Sequence, residues 1–414
     1  MVVKPGYKLT SVGGIPEDWE TRPCSELSER IMVGVVIRPT QYYVRNGIPA
    51  FRSANIREDG ITDLDLVFIS EKSNMLLAKS QTRAGDVLTV RTGYPGTSAV
   101  VRPRHAGSNC IDILITRPSE AALNSDYLAI WVNSSFGKEQ VLRNQGGLAQ
   151  KHFNVGDMRN LVVALPPIPE QRAIATALSD VDALMGALKR LIAKKRDLKQ
   201  AAMQQLLTGQ TRLPGFNCEW EVRALADLAD IRSGGTPSTA EPKFWDGDVL
   251  WCTPTDITSL YGHKYLSETS RRITDHGLKS SSAEMIPANS IVMTSRATIG
   301  ECAINTVPVS TNQGFKNFVP YEHVDVDFLY YLLTKQKQGF ISLCGGSTFL
   351  EIGKGQLVAY EVRLPDNKAE QTAIATVLGD MDAELSALEQ RLAKTRALKQ
   401  GMMQELLTGR TRLL

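Results

Sequence analysis

Arginine, hydroxyl and amide side chains gather in glycine- or proline-flanked loops along this chain. Arg52, Ser53, Asn55 and Arg57 fall in one, and Thr253 and Thr255 in its rough counterpart in the second half. Arg91, Thr92 and Tyr94 open a tight turn that closes at Gly96. Ser295, Arg296 and Thr298 open another that closes at Gly300, with one residue fewer when the arginines are aligned. Lys151 and His152 follow Gly146-Gly147, Ser347 and Thr348 follow Gly345-Gly346, and Arg232, Ser233 and Thr236 surround Gly234-Gly235. Such side chains suit a DNA surface: arginine for guanine edges, asparagine for adenine, hydroxyls and lysine for phosphates. For any one of them the competing reading is a turn residue that satisfies its own backbone.

Catalytic spacings are missing. There is no G-x-x-x-x-G-K-[ST], no H-E-x-x-H and no G-x-S-x-G. Pro166-Pro167 is flanked by Leu165 and Ile168, so it is not the Asn/Asp-Pro-Pro-aromatic tetrad of an amino-methyltransferase. No carboxylates and lysine stand at a nuclease-like spacing. The cysteines, Cys24, Cys110, Cys218, Cys252, Cys302 and Cys344, form no C-x-x-C pair, so spacing supports neither a metal site nor a redox centre. The sequence therefore points away from an enzyme and away from a resident metal or cofactor.

The elements that must position these loops are revealed by an internal repeat. Residues 170–213 recur as 370–413, with 27 of 44 positions identical, which chance does not produce. Ile174, Leu178, Val181, Met185, Leu188 and Ile192 alternate four and three apart, as do Ile374, Leu378, Met381, Leu385, Leu388 and Leu392. This is the seam of a coiled coil. Lysines at 195 and 199 suggest a phase change, after which Leu198, Ala202 and Leu206 (and Leu398, Met402 and Leu406) carry the stripe. Prolines precede both helices, and Gly209 and Gly409 follow them as C-caps. The late basic residues, such as Lys194 and Lys394, read as a solvated face complementing the helix dipole in preference to a nucleic-acid contact. Helices of about 40 residues run about 60 Å. With a globular domain between them, they are expected to pair antiparallel.

The fold class expected is α+β: two mixed α/β domains joined by two long antiparallel coiled-coil helices with pseudo-two-fold symmetry. The domains are placed at 1–165 and 214–363, the helices at 166–213 and 364–414. Strands are expected at 86–90, 111–116, 291–294 and 358–364, and short helices near 127–132 and 328–333. Net charge is +3, which neither demands nor excludes nucleic acid. No apolar run reaches membrane-spanning length and the N-terminus lacks a secretory pattern, so a cytoplasmic protein with no membrane partner is expected.

Two variable domains alternating with two near-identical helices resemble the DNA-specificity subunits of type I restriction-modification enzymes. The likeness is carried by Pro169-Glu170-Gln171-Arg172-Ala173-Ile174-Ala175, by Leu206-Leu207-Thr208-Gly209, and by the second copies of both. Ile231-Arg232-Ser233-Gly234-Gly235-Thr236-Pro237-Ser238 leading to 251–257 adds to it, resembling the opening of a target recognition domain. The first domain, near 31–39, lacks that Gly-Gly-Thr-Pro signature. The resemblance implies a non-catalytic subunit that reads a bipartite, asymmetric site in double-stranded DNA, one half per domain. It implies two methyltransferase subunits as partners, with restriction/translocase subunits joining them, and S-adenosylmethionine, ATP and Mg²⁺ bound by those partners. A specificity subunit of another restriction class, an unrecognised nuclease or methyltransferase, and a protein-binding coiled-coil adaptor stand as alternatives.

Overall fold

The structure is a computed structural model that describes residues 5–143, 152–344 and 350–413. The chain forms two compact units. One comprises 1–189 and 390–414, the other 190–389. The division cuts both long helices, Ile168–Leu206 and Lys368–Leu406, each of 39 residues. Each unit is therefore built from one α/β domain, the first half of one helix and the second half of the other.

In the first unit the central sheet has the order Ser98–Val100, Val87–Val90, Ile113–Pro118, Ser28–Val33, all antiparallel. Alternation along each strand gives it two buried faces. Val87 and Leu114 face a core with Tyr127 and Trp131 of the Ser125–Asn133 helix and with Ile174, Leu178 and Leu406 of the long helices. Leu88, Ile113 and Ile115 face a second core with Phe51 and Ile56. The second unit repeats this plan. Ile291 and Met293 pack with Phe328, Leu332, Ile374 and Leu206, while Val292 packs with Cys252 and Phe315. Its sheet order is Ala229–Ser233, Phe315–Pro320, Ser290–Thr294, Cys302–Asn305, Tyr265–Leu266. The strand expected at 358–364 begins later, at Glu361–Pro365, because Lys354–Val358 closes a helical turn.

Within each unit the long-helix halves run antiparallel. In the first, Lys399 Nζ donates to both Asp182 oxygens at 2.7 and 2.8 Å. In the second, Lys199 pairs with Asp382, and Lys195 with Glu384 at 2.8 Å. Ile174, Leu178, Ile374 and Leu378 are almost inaccessible, Leu188 and Leu385 are buried, and Val181, Met185, Met381 and Leu388 are half-buried. The phase change expected after Ile192 does not occur. Seam positions continue at 195, 199, 202 and 206 in unbroken alternation, and Leu198 and Leu398 are 45% and 59% exposed. The lysines stay in the seam because their stems lie along it while their heads reach an acid across it.

A matching latch closes the two units. Glu170 and Glu370 are each 1% exposed at the start of a long helix. Trp19 Nε1 donates to Glu170 at 3.2 Å, and Trp220 Nε1 to Glu370 at 3.3 Å. Arg412 grips Glu170 with two hydrogen bonds of 2.5 and 2.7 Å, and Arg212 grips Glu370 at 2.6 and 2.7 Å. Each guanidinium also lies over the same tryptophan, at 5.6 and 5.7 Å. The adjoining glutamines repeat the pattern: Gln171 accepts from the backbone N–H of Asn124 and Gln371 from that of Asp325, both at 2.9 Å. Gly409 has a φ of 67°, and a Cβ there would lie 2.4 Å from Pro16, so only glycine lets the tail turn back onto Trp19.

Candidate nucleic-acid interface

The turn after the central strand recurs in both units with the same length. Gly96 N–H donates to Val90 O at 3.0 Å, and Gly300 N–H to Thr294 O at 2.9 Å. Gly93 and Ala297 hold the left-handed position, at φ 91° and 56°. Val90 thus corresponds to Thr294, and the extra residue expected in the first copy is absent. The arginines are not equivalent. Arg91 matches Ser295, while Arg296 matches Thr92. Arg91 is half-buried and ion-paired to Asp112, whereas Ser295 is fully buried, which removes it from any surface role. Arg296 is exposed and pairs with Glu351 at 2.9 Å. Tyr94 is 85% exposed at the tip, and Thr298 is exposed at the matching position. Thr92 Oγ1 lies 2.8 Å from His152 Nδ1, so these two candidates converge. Lys151, Ser347 and Thr348 lie outside the described residues.

The loops at 52–57 and 253–258 are equivalent, but their central side chains serve the fold. Asn55 Oδ1 accepts from Arg52 N–H, and its amide donates to Thr62 O and Leu64 O. Asp256 accepts the matching Thr253 N–H, the Thr253 hydroxyl and Ser270 N–H. Burial works against the Asp256 carboxylate, yet these hydrogen bonds hold its pKa below the usual 3.8. Asn55 is 1% exposed, so the expectation that it offers its amide to a base is not met. Arg52 donates to Asp65 O at 2.6 Å. Arg57 and Thr255 are exposed, and Ser53 and Thr253 half-buried.

Gly234 and Gly235 mark a crowded strand exit. A Cβ at Gly234 would lie 1.9 Å from Asn312 O, and one at Gly235 2.3 Å from Ala283 N. Gly34 does the same in the first unit, 2.3 Å from Cys110 O, although the full signature is absent there. Beyond this exit the Thr236 hydroxyl hydrogen-bonds the Gln313 side chain. Arg232 pairs with Asp230 at 2.7 Å, and Ser233 is half-buried. Sequence reasoning missed the exposed Gln313. The polar run Thr311-Asn312-Gln313-Gly314 before a strand was its available signal.

Among the described residues no three His, Cys, Asp or Glu side chains come together as metal ligands. Burial pushes the Cys24 thiol up to about 12, and Cys110, Cys252 and Cys302 higher still, as expected of inert core thiols. No helix among the described residues is long and apolar enough to cross a membrane.

Two copies of one latched scaffold, each carrying a different set of polar loops, define a duplicated recognition protein. The family model for the type I restriction modification DNA specificity domain matches the chain twice, at residues 16–194 and 217–395, and the chain belongs to that family. It is 39% identical over 166 residues to the type I restriction enzyme MjaIX specificity subunit of Methanocaldococcus jannaschii. That match spans 40% of this chain and 38% of the relative. It is 23% identical over 436 residues to the MjaVIII specificity subunit of the same organism, spanning 96% of this chain and 94% of the relative. In fold it is similar to the type I restriction-modification S subunit from M. genitalium, with a TM-score of 0.57, 14% identity, and coverage of 97% and 98% of the two chains.

Proposed function

We propose that this chain is the DNA-specificity subunit of a type I restriction-modification complex and reads a bipartite, asymmetric target, one half-site per unit. The observation that carries the reading is the contrast within the duplicated specificity domains. The three hydrogen bonds to each buried glutamate, two from an arginine and one from a tryptophan, recur around Glu170 and Glu370. The turns after Val87–Val90 and Ser290–Thr294 diverge: Thr92 stands where the other unit has Arg296, and Arg91 where it has Ser295. A scaffold that must fit two copies of one partner stays alike, while surfaces that read different base pairs diverge. Two methyltransferase subunits would dock on the paired helices, and restriction/translocase subunits would join them. Those partners would bind S-adenosylmethionine, ATP and Mg²⁺ in the cytoplasm, and this chain would hold neither cofactor nor catalyst.

The long helices would set the separation of the half-sites. Removing one heptad from each keeps the seam in phase and shortens each helix by about 10.5 Å at 1.5 Å per residue. That is close to 3 bp at about 3.4 Å per step. Methylation mapping of the shortened protein should return the same half-sites with a spacer about 3 bp shorter. An unchanged spacer would overturn the ruler.

A further inference from the structure

The second unit carries an arginine that has no acidic partner among the described residues and is held over two tryptophans. Arg271 lies opposite Trp251 in the antiparallel pair of Arg271–Ile273 with Trp245–Cys252. Its guanidinium sits 3.9 Å from the centroid of Trp245 and 5.2 Å from that of Trp251. The two indoles meet edge to face at 5.0 Å. Both are anchored to the polar loop that leaves the strand exit: Trp251 Nε1 donates to Gly235 O at 3.0 Å, and Trp245 Nε1 to Ser238 O at 3.1 Å. The platform is thus continuous with the loop bearing Thr236.

Neighbouring cations are neutralised locally. Arg272 reaches Glu268 at 3.1 Å, and Lys243 reaches Glu241 at 3.4 Å. Among the described residues the Arg271 guanidinium has no carboxylate or hydrogen-bond partner, and it is exposed. Stacking on aromatic faces fixes a guanidinium's plane while leaving its N–H fork free, and that fork matches a phosphate. The equivalent place in the first unit differs. There the matching strand pair places Val67 opposite Ala50, in the positions of Arg271 and Trp251.

We infer that Arg271, preoriented by Trp245 and Trp251, binds a backbone phosphate of the DNA flanking the half-site read by the second unit. It is a contact that adds affinity and orientation without reading a base. The inference rests on the proposed function. The experiment uses the assembled complex with its methyltransferase subunits and a duplex carrying the full site, titrated by fluorescence anisotropy over a range of salt concentrations. The variants are R271A, R271Q, which keeps a planar group on the indoles, and R271K. R271A and R271Q should bind several-fold more weakly. Their slope of log affinity against log salt should shrink by about 0.9, the value for one phosphate. R271K should keep most of the slope, and all variants should keep the wild-type ranking of half-site sequences. Wild-type slope and affinity in both neutral variants would overturn the assignment. So would a changed base preference, which would make Arg271 a reader, or lost assembly with the methyltransferase, which would make it a protein contact. A wild-type complex that does not distinguish its site from a scrambled duplex would overturn the specificity reading itself, and this contact with it.

Discussion

Replacing Arg412 with alanine tests the latch that closes the first unit. The guanidinium makes two hydrogen bonds to Glu170, which is 1% exposed, and two to the exposed Asp18 at 3.0 and 2.9 Å. Those Asp18 contacts hold its carboxyl below the usual range, but a pair so exposed contributes at most about 1 kcal/mol. The main cost comes from Glu170. Removing one member of a buried pair costs about 3–5 kcal/mol. The Arg412 side chain is 35% exposed, so solvent screening lowers that figure to about 2–4 kcal/mol. Urea unfolding at pH 7, with E170Q and R412A/E170Q, completes a double-mutant cycle. The double variant should recover most of what R412A loses at pH 7. A loss below about 1 kcal/mol at pH 7, or no recovery with E170Q, would refute the reasoning.

Arg296→Ala should weaken methylation that depends on one half-site and leave the other unaltered, as read by methylating duplexes mutated in either half; an equal loss on both would contradict the contact. In the seam, Asp182→Ala should destabilise by about 3 kcal/mol because Lys399 is left half-buried and unpaired, whereas the paired change K399M/D182L should be near neutral in denaturant unfolding. Equal destabilisation by both would show that the pair itself carries the stability. The lowered pKa of Asp256 means the unfolded chain binds its proton first as pH falls. Its contribution is therefore present above 3.8 and lost as pH drops through the lower folded value. Tryptophan fluorescence during acid unfolding should show a shallower loss below 3.8 in D256N than in wild type, and superimposable curves would remove Asp256 from the account.

The periodic parts of the fold were legible because each long helix repeats one pattern over many turns. The Ser125–Asn133 and Val326–Lys335 helices were legible from their apolar patches. The seam was misread at Lys195 and Lys199, where a hydrophobicity pattern cannot see that an acid waits across the interface. The alignment of Arg91 with Arg296 failed for a different reason. Residue identity favoured matching the arginines, but the hydrogen bonds from Gly96 to Val90 and from Gly300 to Thr294 set the register one residue away. Asn55 looked like a reader because asparagine suits an adenine edge, and only the strand-to-turn geometry shows its amide consumed by backbone. Gln313 had only the polar run Thr311-Asn312-Gln313-Gly314 to mark it, and Arg271 no motif at all. Their significance lies in what the fold brings beside them, Thr236 in one case and two indole faces in the other.

The central claim is most directly tested by modification-sensitive sequencing of genomic DNA from cells with and without this gene, with a cognate type I methyltransferase subunit supplied. The account predicts a bipartite, asymmetric methylated motif that appears only with the gene. If no gene-dependent motif appeared while the same methyltransferase was active with a known specificity subunit, the account would be contradicted.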